Sequence, residues 1–316
     1  MPTRREFIVG GLALAATACA GGGGANRSPG SVPAHPSIEE LVSGAPQLSV
    51  LGLGPGALGG DKHEPIQTGT TIVTFDLGLN TQIIERGSPQ LYGATDERAP
   101  ALGPFGAGWT PFTGYQKTGD HSPRSPIPGV YVARIRVPNP GLYVIVAVGP
   151  SGRSQGVGVT HVYFSDHLPN AAGSKATSVQ TPVAKTAHQL REVCTRQPPC
   201  TMHSISLSDA LRNGKPTVAV FSTPLLCQSR LCGPVTDEVL LVDEQLKARA
   251  NFVHVEEFLP GPDLKPNASK LSPGFVAWGL QTEPWVFVID KRGIIRARYQ
   301  GPATAPMVAA SLQPLL

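Results

Sequence analysis

Residues 222–235 read STPLLCQSRLCGPV, from Ser222 to Val235, and the fold of the later part of the chain turns on how this stretch is taken. Just before it, Asn213-Gly214 marks a turn, and Thr217 to Phe221 (TVAVF) is a short apolar run of the kind that forms a buried strand. Just after it, Val235, Val239, Leu240, Val242 and Leu246 recur at roughly helical intervals, so a helix is expected. Cys227 and Cys232 therefore sit between a strand and a helix. On one regular helix, residues five apart are turned by about 500°, which leaves their side chains about 140° apart. They can pair only if Cys227 stays in the loop before the helix. Pro224 and Leu225-Leu226 suit a loop, and Gly233-Pro234 suits a helix start, because proline is accepted in the first turn. A thiol at a helix N-terminus is favoured as thiolate by the unpaired N–H groups and partial positive charge there, an argument that points to Cys232 as the better activated sulfur.

Further along, NFVHVEEFL (Asn251 to Leu259) reads as a second strand, followed by a proline-rich loop from Pro260 to about Pro273. FVAWGL suggests a short helix. TEPWVFVID and IIRARYQG are joined by a tight turn at Lys291-Arg292-Gly293, which makes a hairpin, and Ala303 to Leu316 reads as a terminal helix. Lys215-Pro216 ahead of a valine-rich strand, a cysteine just after it, Thr282-Glu283-Pro284 ahead of another strand, and Asp290 to Gly293 with Gly301 together resemble the thioredoxin-like superfamily. Cys232-Gly233-Pro234 shares three letters with the thioredoxin motif, but Val235 stands where the second cysteine belongs.

The resemblance covers about 110 residues, 204–316. It implies an α/β thioredoxin-like fold and thiol–disulfide exchange through a mixed disulfide, with no cofactor. It also implies Cys227 as nucleophile, Cys232 as resolving cysteine, and Pro284 as the cis-proline facing them. The expected partners are thiols or disulfides of exported proteins. The helix-start argument favours Cys232 as the attacking sulfur instead, and both assignments stand at this point, with Cys227 first.

Two other readings compete. One is a redox-inactive binding module with structural disulfides. The other is copper handling, by resemblance to Sco-type copper assembly proteins, which combine two nearby cysteines with a distant histidine; His254 is the candidate metal ligand, although it lies in an apolar strand where core histidines are common. His203, just before the domain, is the other nearby histidine. A peroxide-reducing site needs Pro-x-x-x-Thr-x-x-Cys, and Thr223 is one residue too far from Cys227. Glu256 and Glu257 are adjacent on a strand, face opposite sides, and so do not form an acid/base pair.

Working back towards the start, residues 47–165 carry a β pattern. TIVTFDLGL, VYVARIRV, GLYVIVAVG and GVGVTHVYF are strand candidates separated by turns such as Asn139-Pro140-Gly141. Short strands with Gly/Pro turns predict an all-β sandwich of immunoglobulin-like type, with Gly87 to Pro126 as loops or irregular strands. Gly52-Leu53-Gly54-Pro55-Gly56-Ala57 matches a dinucleotide fingerprint in letters only, because Gly59-Gly60 and Pro65 break the helix that a phosphate site needs. Residues 166–203 are expected as a linker containing CTRQPPC, where a Pro-Pro turn brings Cys194 and Cys200 close. A structural disulfide there would contribute about 2 kcal/mol. The alternative is a relay that exchanges with Cys227–Cys232.

The first residues resemble an export signal. Arg4-Arg5 fits the twin-arginine pattern, and the apolar run Phe7 to Ala18 is too short to span a bilayer. Ala16-Thr17-Ala18-Cys19 resembles a bacterial lipobox, which implies cleavage after residue 18, lipidation of Cys19, and a flexible tether over residues 19–46. The chain is thus expected outside the cytoplasm, anchored to a cell-envelope membrane as a lipoprotein. With Cys19 set aside, four of the five cysteines remain, an even set that reads as disulfides in an exported protein. A net charge of +4 from scattered Lys and Arg residues offers no basic stripe for nucleic acid. High Gly (36) and Pro (32) contents with 15% charged residues favour strands and loops over long exposed helices.

Overall fold

Alternating apolar residues, which put every second side chain on one face of a strand, build most of this molecule. The computed structural model describes residues 35–52, 64–80, 82–114, 128–227, 231–260 and 266–316. The export signal with Arg4 and Arg5, the lipidation candidate Cys19, and Leu53 to Ala57 of the glycine-rich stretch lie outside the described residues.

A short helix, α1 (Ile38–Val42), opens the described chain behind a capping box made by Ser37 and Glu40. The strands β1 (Gln47–Leu51), β2 (Ile66–Gln67), β3 (Gly69–Leu79), β4 (Gln82–Ile83), β5 (Gln90–Ala94), β6 (Leu102–Pro111), β7 (Gly129–Val137), β8 (Gly141–Val148) and β9 (Val157–Ser165) follow. Seven of them run β1-β3-β7-β6-β5-β8-β9 and return to β1. The closing strand β1 pairs antiparallel with β3 (Val50 opposite Leu77) and parallel with β9 (Leu48 opposite Gly158), so the ring is a closed mixed barrel. Its inward residues include Val73, Phe75, Leu77, Leu91, Tyr131, Ile135, Tyr143, Ile145 and Phe164. Gly158 lets β1 approach, since a Cβ there would overlap the Val50 methyl.

This corrects the expected immunoglobulin-like sandwich. Two packed sheets would keep open edges, whereas here β1 bonds on both sides and abolishes them. Two barrel strands, β5 and β6, come from the stretch expected as loops or irregular strands, where glycines and prolines interrupt the apolar pattern.

Beyond the barrel come α2 (Ala187–Val193), α3 (Leu207–Ala210), β10 (Thr217–Phe221), α4 (Cys232–Leu246), β11 (Asn251–Val255), β12 (Phe258–Pro260), β13 (Pro266–Leu271), α5 (Pro273–Trp278), β14 (Trp285–Ile289), β15 (Ile295–Gln300) and α6 (Ala305–Leu312). Four strands form a small second sheet in the order β11-β10-β14-β15, and β12 pairs with β13 separately. β10 runs parallel to β11 and antiparallel to β14.

The expected α/β thioredoxin-like fold is also overturned. Among the described residues strands outnumber helices and hold more residues, and α4, with 15 residues, is the longest helix. The second sheet shares a core with the barrel. Val218, Val220, Val286 and Val288 pack with Val235 and Val239 of α4 and Val308 and Leu312 of α6, and the barrel's Phe112 and Val130 join the same cluster. The opposite face carries Phe221, Trp285 and Phe287, covered by Trp278 and Phe275 of α5, Leu207 and Ala210 of α3, and Ala176.

Residues 166–203 are packed in part against this sheet: Cys194, Cys200 and Met202 belong to the shared core. The Glu238 carboxylate of α4 accepts from the amides of Thr113 and Gly114 after β6 and from the Ala305 amide at 2.6 Å. A Cβ on Gly114 would stand 2.6 Å from the Asp237 carbonyl carbon, so only glycine allows that approach. The described residues belong to one compact unit. No described helix is long and apolar enough to cross a membrane.

Candidate functional site

Cys227 and Cys232 are joined as a disulfide, with Cα atoms 5.9 Å apart. The helix begins at Cys232, so Cys227 lies in the loop before it, as pairing across five residues requires. Leu231 precedes the helix and offers no capping oxygen. The Cys232 amide instead donates to the Cys227 sulfur at 3.3 Å, which puts that sulfur where a capping oxygen usually sits. The helix-start argument thus operates on Cys227: the sulfur that a helix N–H reaches belongs to the loop residue. Cys232 is fully buried, whereas Cys227 is partly exposed and follows the exposed Leu225. The Thr236 hydroxyl donates to the Cys232 carbonyl at 2.7 Å and holds the first turn.

Facing the pair is Glu283, a carboxyl oxygen of which lies within 4.8 Å of both sulfurs. The peptide from Glu283 to Pro284 is cis, so the proline singled out in the sequence turns the chain next to the pair as β14 begins. Glu283 Oε2 is buried without a hydrogen-bond partner among the described residues. Burial, reinforced by the negative charges of Glu257 and Glu256, pushes the Glu283 carboxyl well above the usual carboxylate range. Burial thus favours the protonated form of a carboxyl that lies beside both sulfurs.

The second cysteine pair is different. Cys194 and Cys200 are not bonded to each other; their sulfurs stand 3.8 Å apart, and both residues are buried. His254, on the central part of β11, turns Nδ1 towards them, 3.3 Å from the Cys200 sulfur and 3.8 Å from that of Cys194. His203 brings Nε2 to 3.2 Å from the same Nδ1. Cys194, Cys200, His203 and His254 are therefore one cluster, with their ligand atoms mutually within 4.8 Å. The histidine that a copper reading would assign to Cys227 and Cys232 faces the other pair. Among the described residues the metal-capable group around Cys227 and Cys232 adds only Glu283.

The cluster is held from all sides. His254 Nε2 lies 3.0 Å from the Ser222 carbonyl and 3.0 Å from the Ser222 hydroxyl. Held at Nε2 by that carbonyl, the ring keeps Nδ1 turned towards the sulfurs. Glu256 accepts from the Thr195 amide and hydroxyl, both at 2.7 Å, next to Cys194. Arg196 pairs with Asp237 of α4 at 2.6 Å, and Thr201 donates to Asp243 of α4 at 3.0 Å. The Cys200 hydrogen bond, with help from both imidazoles, pulls the Cys194 thiol far down, while burial and the neighbouring Cys194 push Cys200 up. Burial raises Glu256 to about 8. For His254 burial opposes the charge, but Glu256 and Cys194 outweigh it and raise the ring to about 9. Burial lowers His203.

The two pairs are neighbours: the Leu225 amide, two residues before Cys227, donates to the Thr195 hydroxyl at 3.4 Å. The sequence reading missed Glu283 as a site residue and missed that His203 and His254 meet. One signal was present, since His203 follows Cys200 at Cys-x-x-His spacing, a common metal-ligand interval. Compared with known proteins, the chain matches no family model and no curated protein.

Proposed function

We propose that this chain is a thiol–disulfide oxidoreductase that acts on exported proteins through the Cys227–Cys232 pair. The observation that carries the reading is the placement of that pair. A partly exposed loop sulfur receives a helix N–H, its partner is buried in the first turn, and a buried carboxyl, bonded by Thr223 but with Oε2 unpaired among the described residues, lies beside both. The helix N–H favours negative charge on Cys227, which makes it the nucleophile when reduced, and its exposure beside a buried Cys232 makes it the attacked atom when oxidised.

In the oxidising direction a substrate thiolate attacks Cys227 Sγ. The Cys227–Cys232 bond breaks, a mixed disulfide forms, and the Cys232 thiolate takes the Glu283 proton. A second substrate thiolate then attacks the mixed disulfide. The substrate dithiol becomes a disulfide, and the pair is left as a Cys232 thiol and a Cys227 thiolate, with Glu283 ionised. In the reducing direction the steps reverse, and Glu283 accepts the Cys232 proton as that sulfur attacks Cys227.

The export part of the proposal is supported by the Arg4-Arg5 segment and the Ala16-Thr17-Ala18-Cys19 pattern. It expects Cys19→Ala to release the protein from the membrane fraction and to end labelling by a fatty-acid analogue.

The functional test is redox titration of the full chain in glutathione buffers, read by mass spectrometry. The expected result is a Cys227–Cys232 bond that opens between about −120 and −270 mV, and a Cys232→Ser variant that accumulates mixed disulfides at Cys227. Resistance beyond about −300 mV, or no trapped partner, overturns the proposal.

A further inference from the structure

We propose that Cys194, Cys200, His203 and His254 form a closed four-coordinate zinc site that pins the Cys194–Cys200 loop to the second sheet. It is separate from the exchange chemistry and stands whether or not Cys227–Cys232 turns over.

The first argument is geometric. Tetrahedral zinc, with bonds of about 2.3 Å to sulfur and about 2.0 Å to nitrogen, sets a sulfur–sulfur edge of about 3.8 Å, a nitrogen–nitrogen edge of about 3.3 Å and mixed edges of about 3.5 Å. The sulfurs of Cys194 and Cys200 are 3.8 Å apart. The nitrogens of His203 and His254 are 3.2 Å apart. The two mixed edges to His254 are 3.3 and 3.8 Å. Four of the six edges among the donor atoms thus match a zinc tetrahedron, and the two from His203 to the sulfurs lie within 4.8 Å. A packed core histidine beside two thiols has no reason to reproduce all of these edges.

The donor chemistry agrees. Two thiolates and two imidazoles are a set suited to zinc, and the thiolate charge offsets that of the ion. Each of the four residues is at most 2% exposed, so the sphere has no open position, as in a structural site rather than a catalytic one. The outer contacts also agree. His254 Nε2 is set against the Ser222 carbonyl, which leaves Nδ1 free to bind, and the Cys200 amide donates to the Cys194 sulfur at 3.4 Å, a contact that supports a thiolate. The Thr195–Glu256 and Arg196–Asp237 contacts hold the two residues that follow Cys194 in place before any ion arrives.

The test is metal analysis of the full chain, produced with zinc and purified without chelator, followed by exchange of zinc for cobalt(II). About one zinc per chain is expected, together with a cobalt spectrum showing a thiolate charge-transfer band and the intense visible bands of tetrahedral coordination. Cys194 and Cys200 should be alkylated at least about tenfold faster once a chelator has stripped the metal. Cys200→Ser and His203→Gln should each lose cobalt affinity by at least about tenfold, while Cys227→Ser binds normally. The wild-type cobalt spectrum needs no variant to fold. A Cys194–Cys200 disulfide in freshly isolated protein, an octahedral cobalt spectrum, or a site that takes only copper(I) would overturn the proposal.

Discussion

The two cysteine pairs have nearly the same spacing, five and six residues, and opposite surroundings. Cys227–Cys232 straddles the start of a long helix, partly open to solvent, with a helix N–H and a carboxyl as neighbours. Cys194 and Cys200 are themselves buried, facing two imidazoles, and their loop is anchored by an ion pair to α4 and by hydrogen bonds to Glu256 just after β11. A sulfur that exchanges must be reached by another sulfur, whereas a sulfur that binds a structural ion is better kept from it. Spacing therefore says little about the chemistry of either pair. Exposure and the identity of the nearest polar groups separate them.

The largest effect that could break this comparison is on exchange itself. Cys227→Ser should remove turnover entirely and Cys232→Ser should leave only trapped mixed disulfide, because both sulfurs are needed to pass two electrons. Cys194→Ser should keep turnover at its folded sites and lower stability instead. Insulin reduction or refolding of a scrambled substrate reads the first effect, and urea unfolding reads the second. Equal loss of turnover from Cys194→Ser would mean that the pairs act as a relay and that the division is false.

A smaller effect sharpens the same contrast. Arg196–Asp237 joins the loop of the buried pair to the helix that carries Cys232, and both side chains are almost wholly buried. Arg196→Met strips Asp237 of the guanidinium inside the core and should cost about 3–5 kcal/mol in urea unfolding. A loss below about 1 kcal/mol would mean that the pair behaves as a solvated surface contact and does not fix the loop.

Local pattern was legible in the sequence where one segment decides it. The TVAVF strand, the helix after Cys232, the hairpin around Gly293 and the alternation of VYVARIRV are all present as elements. What the sequence left out was pairing over long distances. Nothing in QLSVL says that it will bond to β3 on one side and run parallel to β9, more than a hundred residues away, on the other, yet those contacts turn open sheets into a barrel. β6 was hidden because LGPFGAGWTP lacks a clean alternation, and its edges are supplied by β5 and β7. The small second sheet was misread as an independent α/β unit because its strand and helix order is local, whereas its sharing of a core with the barrel is not. The same limit governed the sites. Cys227 and Cys232 meet within five residues and were legible, but His203 and His254 lie 51 residues apart, and an apolar strand conceals a histidine's partner.

A last comparison sets a buried acid of the barrel against one of the second sheet. Glu256 is met by two bonds from Thr195 and by His254, whereas Asp76 of β3 is 5% exposed and its Oδ1 has no hydrogen-bond partner among the described residues. Burial alone raises Asp76 from 3.8 to about 7. Folding therefore favours the protonated acid: its contribution is fully present below the unfolded value near 4 and is lost as the pH rises through about 7. Asp76→Asn mimics the protonated acid and removes the titration. Against this variant, the wild type should lose about 3 kcal/mol of relative stability between about pH 4.5 and about pH 8, measured by urea unfolding at both pH values. The ionisations of Glu256 and His254 occur in both proteins and cancel in the difference. A difference between wild type and variant that does not change with pH would mean that Asp76 is ionised and solvated in the folded barrel. Burial without partners would then not set the protonation of the barrel's acid, and the contrast drawn between Asp76 and Glu256 would fail.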